Sequence, residues 1–351
     1  MEIGIDNFFE FPLRVRLTTA IIPVGLIFLI GGLGSPSWSR SELSQLGLWK
    51  YCSISDIFTC CNNLPGGSPE HNKVQDISIL MPPRNWTKYN QKRSLDAWRS
   101  HIDHGLKKVE IIGASKREKH AIVQLISRTW ISSLAGKGRD APKGVYSKMR
   151  VVKVERIENP LLFLKYAQNR QNFLRRLEIT NSPFKLPGMI QHKPIKTTAK
   201  MNTNVFTDLH SEINEHYLFH GTSEAKVSPI AHYGLDGRLA GDCMFGRGIY
   251  AAECPTKSDH YTVSDMTNLK MIVVRMLLGE IYVTNVPYSF QKPPCKQCIP
   301  GHLGSCDQSD HKQGTFDSVM AAINGKHREF ITYEQNSCSS YPEYIITYNR
   351  E

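Results

Sequence analysis

The periodicity of apolar positions changes several times along the chain, and each change predicts a different kind of element. Leu17 to Gly34 is an uncharged, largely apolar run of membrane-helix length. Residues 62–90 are polar and rich in proline and glycine, which predicts a linker. From Ser94 apolar residues recur with a helical period, and Ala121, Val123, Leu125, Ile126, Trp130 and Leu134 predict a helix ending before Gly136. Met149 to Ile157 alternates and is β-branched, so it predicts a strand, and Asn159-Pro160 stops it. Leu161 to Leu177 reads as helix, and residues 180–205, with three prolines, as loop. Beyond them come short strand-like runs at Tyr217-Leu-Phe, Met271 to Leu277, Glu280-Ile-Tyr-Val, Glu329-Phe-Ile-Thr-Tyr and Tyr344-Ile-Ile-Thr-Tyr, with one short helix over Ala225 to Tyr233. Helices followed by clustered strands predict an α+β domain. No G-x-G-x-x-G follows a strand, so a doubly wound dinucleotide fold is not indicated.

The N-terminal run carries no charge, and Arg14 and Arg16 precede it. A membrane anchor over 17–34, a cleaved signal peptide and a buried helix all fit. Gly47-Leu48-Trp49, Cys52 and the pair Cys60-Cys61 follow. These resemble the first extracellular loop of the claudin and peripheral myelin protein superfamily, over residues 1–75 only. Further membrane helices are absent from the sequence, so the resemblance implies a fragment joined to something unrelated. Asn85-Trp86-Thr87 is a glycosylation sequon, relevant only in a lumenal setting.

Composition adds little to this division. The formal net charge of +11 favours anionic partners, yet the lysines and arginines are interspersed with acids, and no specific nucleic-acid signal stands out. Nine cysteines, an odd number, fall into an early group of three and a late group of six. A chain of 351 residues does not need disulfides to hold a core.

Three short motifs carry candidate chemistry. Leu218-Phe-His220-Gly221-Thr222 ends a strand in an imidazole and a bare backbone, where a flat ligand can approach closely. Met244-Phe-Gly-Arg-Gly-Ile-Tyr250-Ala-Ala leads into Thr256-Lys-Ser258-Asp-His-Tyr261, which offers a hydroxyl and two rings able to sandwich an aromatic. Ser340-Tyr-Pro-Glu343-Tyr-Ile-Ile-Thr-Tyr places a carboxylate on an otherwise apolar strand, which is costly unless paired or functional. Each piece also has a plain reading: a turn with an incidental histidine, two core aromatics, an edge glutamate.

In this order the motifs resemble the catalytic domain of the poly(ADP-ribose) polymerase (PARP) family. Its His-Tyr-Glu triad stands in the contexts HG[ST], GxGIYFA and a late Glu before the last strand. Val152-Lys-Val-Glu-Arg-Ile-Glu-Asn-Pro is similar to the family's entry strand, so the resemblance spans residues 105–351. The last strand is especially similar to tankyrases, and Asp317-Ser-Val319 to macrodomain-associated members. The organisation expected is a membrane anchor and Cys-containing loop at 1–75, a linker at 76–104 and the catalytic domain at 105–351. The fold implied is the ADP-ribosyltransferase fold of antiparallel sheets with peripheral helices, preceded by a transmembrane helix.

The resemblance further implies NAD as substrate and protein acceptors of ADP-ribose. His220, Tyr250 and Glu343 would be catalytic, and Gly221, Thr222, Ser258 and Tyr261 would bind NAD. Glu343 would stabilise the oxocarbenium-like state formed when nicotinamide leaves, so Glu343→Gln is expected to reduce transfer far more than NAD binding. Position 341 is Tyr, which disfavours the E-x-E arrangement of arginine-specific transferases. A glutamate in the triad permits chain elongation. Ala251 departs from the family's usual Phe. Cys295, Cys298, His302 and Cys306, with His311 beyond, are either a zinc site or a reduced cysteine-rich insertion. Tankyrases hold zinc, but in another loop and with another spacing. Two other readings are a catalytically inactive NAD- or ADP-ribose-binding module and a claudin-like fragment fused to a PARP domain. Arg14 and Arg16 argue for an N-terminus in the cytosol, whereas NAD argues for a catalytic domain in the cytosol or nucleus.

Overall fold

A computed structural model describes residues 80–89 and 109–351, less 139–140, 142–143, 182–183, 185–186, 189–191, 207, 242, 264, 289–291, 299–310, 312, 323–326 and 334–337. The apolar run at 17–34, Cys52, Cys60, Cys61, the periodic stretch from Ser94 to residue 108, His302 and Cys306 lie outside the described residues. Among the described residues no helix is long and apolar enough to cross a membrane.

The described strands form one nine-stranded sheet. In chain order they are β1 (Glu110–Gly113), β2 (Met149–Glu158), β3 (Glu215–Thr222), β4 (Ile249–Ala252), β5 (Leu269–Leu277), β6 (Ile281–Thr284), β7 (Ser318–Ala321), β8 (Glu329–Thr332) and β9 (Ser340–Arg350). Their order across the sheet is β1-β2-β9-β5-β3-β4-β8-β7-β6. All neighbours are antiparallel except β6 and β7, which run parallel. Helices α1 (Lys116–Thr129), α2 (Pro160–Thr180), α3 (Lys196–Lys200), α4 (Glu224–Tyr233) and α5 (Pro255–Asp259) pack around the sheet. This mixture of one large sheet and a few helices is the α+β class expected.

Local signals explain most element boundaries. Ser115 caps α1 in a reciprocal capping box with Glu118, which satisfies two otherwise orphaned N–H groups. Asn159 caps α2 by accepting from the Leu162 N–H, and Pro160 occupies the first turn. Of the three longest strands, β5 and β9 carry the near-continuous apolar runs of a covered sheet, whereas β2 alternates and is buried mainly over its second half. Apolar side chains pack on both faces: Leu218, Ile272, Val274 and Met276 in one cluster, and Tyr217, Phe219, Met271 and Val273 in another with α1.

Residues 80–89, expected as part of a linker, belong to the folded body. Trp86 is 2% exposed and stacks edge-on to Phe163 with centroids 5.4 Å apart. The backbone N–H groups of Thr87 and Lys88 donate to the two carboxylate oxygens of Glu158, at 2.7 and 2.9 Å. Proline and polar content hid one buried aromatic anchor. Residues 180–205, read as loop, contain the short helix α3.

Candidate active site

The site forms where β3 and β4 meet. The two strands pair at Phe219↔Ala252, and α5 packs beside both. Ser258 on α5 donates its hydroxyl to the Phe219 carbonyl at 2.7 Å, which seats the helix on the strand. A Cβ built on Gly221 would lie 1.8 Å from the Ser258 carbonyl oxygen and 3.3 Å from the Tyr261 Cβ. Only glycine permits this approach. The main chain of Gly221, the backbone of Ser258 and the base of the Tyr261 side chain are therefore in close contact. Tyr261 is 46% exposed, so its ring faces an opening, and the Lys257 ammonium lies 4.7 Å from its centroid.

His220 precedes Gly221, and its Nδ1 lies 2.7 Å from the Tyr250 carbonyl oxygen. A carbonyl only accepts, so Nδ1 carries the proton and the neutral ring presents Nε2 as an acceptor. Burial pushes the imidazole pKa down, with a smaller push from Lys226, and the neutral form prevails. Tyr250 is held by its own loop: its hydroxyl donates to the Gly246 carbonyl at 2.7 Å and accepts from the Phe245 N–H at 3.1 Å. Gly248 lets that loop reach β8, for a Cβ there would lie 2.6 Å from Ile331 Cγ2. Thr222 is buried at the end of β3, just before α4.

The two late glutamates occupy very different surroundings. Glu343, expected in the triad, lies on β9, with β5 between it and β3. It is 1% exposed and accepts from Arg275 Nε at 2.8 Å and from the Tyr217 hydroxyl at 2.9 Å. Arg275 also faces Glu215 at 3.6 Å, which pairs in turn with Arg170 and Tyr166. Glu343 is thus embedded in a buried charge network, with its carboxylate committed inward.

Glu329 opens β8. The register Ala252↔Glu329 and Tyr250↔Ile331 puts the side chains of Tyr250 and Glu329 on one face of adjacent strands. The Tyr261 hydroxyl donates to Glu329 at 3.2 Å, and the Lys257 ammonium lies 3.6 Å from the same carboxylate. The structure therefore brings together Gly221, Ser258, Tyr261, Tyr250 and His220 as expected, but joins Glu329 to them instead of Glu343. The sequence did flag the run starting at Glu329 as a strand. Its first residue shares its context, a carboxylate ahead of an apolar run, with Glu343.

Two buried ion pairs hold the surroundings. Arg350 donates to Asp259, Thr262, and the carbonyls of Val263 and Asp265, pinning the segment that carries Tyr261 to the last strand. Tyr146 donates to Asp259 Oδ2 at 2.5 Å. Arg328, beside Glu329, pairs with Glu253 at the end of β4 and donates to the carbonyls of Lys193 and Pro194. Both pairs are buried and tie the elements around the site to one another.

Of the expected zinc ligands, Cys295 and Cys298 converge with His311, while His302 and Cys306 fall outside the described residues.

Residues 130–351 match the family model described as the poly(ADP-ribose) polymerase catalytic domain. Human protein mono-ADP-ribosyltransferase PARP12 is 30% identical over 138 residues, which cover 39% of this chain and 17% of that protein. Poly [ADP-ribose] polymerase 2 of Caenorhabditis elegans is 26% identical over 171 residues, 48% of this chain and 29% of that protein. Mouse protein mono-ADP-ribosyltransferase PARP10 is 25% identical over 142 residues, 39% of this chain and 12% of that protein. The chain thus spans less than a third of the length of these relatives. A family match over most of the chain, on a sheet that gathers an imidazole, two tyrosines, a glycine backbone and a carboxylate at one opening, places the protein in the poly(ADP-ribose) polymerase catalytic-domain family of NAD-dependent ADP-ribosyltransferases.

Proposed function

We propose that this chain cleaves NAD to nicotinamide and transfers ADP-ribose to protein side chains, with Glu329 as the carboxylate of the triad. The observation that carries the reading is the hydrogen-bonded grouping of Tyr261, Lys257 and Glu329 beside Gly221 and Ser258. In this reading the nicotinamide amide pairs with the Gly221 main chain and the Ser258 hydroxyl. Its ring stacks on Tyr261, and Tyr250 lines the other side. His220 Nε2 accepts from a ribose hydroxyl of the adenosine half, and Thr222 lies next to it.

The bond from the ribose anomeric carbon to the pyridinium nitrogen breaks, and its electron pair leaves with nicotinamide. The ribose gains oxocarbenium character, which the Glu329 carboxylate stabilises. The acceptor then bonds to the anomeric carbon and gives up its proton. Binding and orientation supply much of the rate, since NAD carries its own leaving group. Residue 327, two before Glu329, is His, so the E-x-E pattern of arginine-specific transferases is again missing. A triad glutamate supports elongation, although two of the three relatives named are mono-ADP-ribosyltransferases. The full chain incubated with adenine-labelled NAD is expected to become labelled and to release nicotinamide. Label that stays wholly on intact NAD would contradict the reading and favour a binding module. The length distribution of detached product distinguishes single units from polymer.

We also read residues 17–34 as a membrane-inserting segment, on the apolar run alone, with the catalytic half facing the cytosol or nucleus. The Asn85 amide donates to Glu118 at 3.0 Å and to the Tyr344 hydroxyl at 2.7 Å, and a glycan on that nitrogen would remove at least one of these donors. This favours a compartment without N-glycosylation. Alkaline carbonate extraction tests the insertion, and a glycosidase-sensitive mass at Asn85 would contradict the orientation.

A further inference from the structure

The segment between β6 and β7 serves no role in the reaction described above, yet it is built around three metal-type donors. Cys295 and Cys298 sit on a turn that follows Pro293-Pro294. A returning strand clamps this turn. Cys295 bridges Thr315, the Lys296 N–H donates to the Gly314 carbonyl at 3.0 Å, and the Phe316 N–H donates to the Pro294 carbonyl at 3.0 Å. The Gln313 N–H reaches the Gln297 side chain at 2.8 Å. Lys296 is further tied to Glu280. The clamp brings His311 over the turn. Its Nδ1 lies 3.7 Å from the Cys295 sulfur and 3.3 Å from the Cys298 sulfur, and the three donor atoms lie within 4.8 Å of one another.

Hydrogen bonding alone is a poor account of this cluster. One imidazole nitrogen has one lone pair, so it can receive one thiol proton well and not two. Two sulfurs and a nitrogen that converge on a common centre fit a shared cation instead. A tetrahedral zinc, with Zn–S near 2.3 Å and Zn–N near 2.0 Å, requires neighbouring donors roughly 3.5 to 3.8 Å apart. The sulfur–nitrogen distances, 3.7 and 3.3 Å, lie on either side of the roughly 3.5 Å that this geometry gives for a sulfur–nitrogen pair. Two thiolates with an imidazole are the donor set of zinc, not of calcium or magnesium. Two thiolate charges also neutralise a divalent ion in a half-buried setting.

We propose that Cys295, Cys298 and His311 bind a zinc ion, with the fourth position completed by water or a further side chain. The ion cross-links the two arms of the β6–β7 segment. That segment leads straight into β7, and β7 pairs through Ala321 with Glu329 of β8. The zinc is therefore a structural centre that steadies the outer side of the sheet next to the candidate carboxylate, and it takes no part in transfer.

The test uses the full chain purified without chelator. About one equivalent of zinc per chain is expected, released by a mercurial that titrates thiolates. Cobalt exchanged into the wild-type chain should give a thiolate-to-cobalt charge-transfer band and the strong visible bands of tetrahedral cobalt. Cys295→Ser, Cys298→Ser and His311→Ala should each lose most of the metal, while Cys338→Ser should keep it. The cobalt spectrum needs no variant, so a failure of variants to fold leaves the proposal testable. A wild-type chain with no bound zinc and no cobalt–thiolate band would overturn it. So would zinc retained in the Cys295→Ser/Cys298→Ser double variant, or a Cys295–Cys298 disulfide found by mass in the freshly purified chain.

Discussion

Glycine 221 is the tightest point of the site. A methyl group there would meet the backbone of Ser258 and not a flexible side chain, so α5 has to move. Gly221→Ala is expected to lower NAD affinity at least about ten-fold, or 1.4 kcal/mol, by displacing Ser258 and Tyr261. It should also cost roughly 1–3 kcal/mol of stability through overpacking. Calorimetric titration with a non-hydrolysable NAD analogue and thermal unfolding read the two effects, and unchanged affinity would contradict the placement. Gly221, Ser258, Tyr261 and Tyr250 were all legible in the sequence, because their spacing within short motifs is local. The choice between Glu329 and Glu343 was not. Glu329-Phe-Ile-Thr-Tyr and Glu343-Tyr-Ile-Ile-Thr-Tyr present the same pattern, a carboxylate opening an apolar strand. Only the strand order separates them: β8 lies beside β4 and its tyrosine, whereas β9 lies between β2 and β5.

At the level of elements, long strands and helices are predictable from period, and among the short strands β6 and β8 stand out as β-branched and aromatic runs whereas β1 and β7 do not. Strands β1 and β7 have four residues each, too few for alternation to register. Helix α5 has five, and it holds its place through Ser258 and the Asp259–Arg350 pair, not through an apolar stripe. The largest difference concerns residues 80–89. Trp86 fills a socket against Phe163 and Tyr341, and Thr87 and Lys88 satisfy Glu158. A fragment starting at residue 105 leaves that socket empty and Glu158 short of two donors. It is expected to be less stable than one starting at residue 76 by about 3–5 kcal/mol, the usual cost of removing a buried large aromatic. Trp86→Ala in the longer fragment should reproduce most of that loss. Equal midpoints in urea for the two fragments would restore the linker reading.

On the scale of the whole molecule, charges are organised as buried pairs under a sheet, and this sets the response to acid. His216 is fully buried, hydrogen-bonded to Thr198 at 2.6 Å, and burial lowers its pKa to about 4. His220 is lowered for the same first cause. A histidine with a depressed folded pKa leaves the unfolded chain binding more protons, so stability falls as pH drops from about 6.5 towards 4. His216 contributes a slope approaching roughly 1.4 kcal/mol per pH unit within that window. Glu215 follows below it. Its burial raises the pKa, but Arg170 and Arg275 outweigh this and hold it low, so its stabilisation is lost as the carboxylate finally protonates. Unfolding midpoints measured between pH 7 and pH 4 should therefore decline steadily, and a flat profile down to pH 4 would contradict the buried histidines.

The central claim is that Glu329 acts in transfer and Glu343 in folding. It is tested most directly by comparing Glu329→Gln with Glu343→Gln for labelled-NAD transfer, NAD-analogue binding and thermal unfolding in the same preparation. Glu329→Gln is predicted to keep the wild-type midpoint and NAD binding while losing nearly all transfer. Glu343→Gln is predicted to unfold earlier, since it leaves the buried Arg275 without its nearest carboxylate, a change that typically costs about 3–5 kcal/mol. A stable, inactive Glu343→Gln beside a fully active Glu329→Gln would contradict the account.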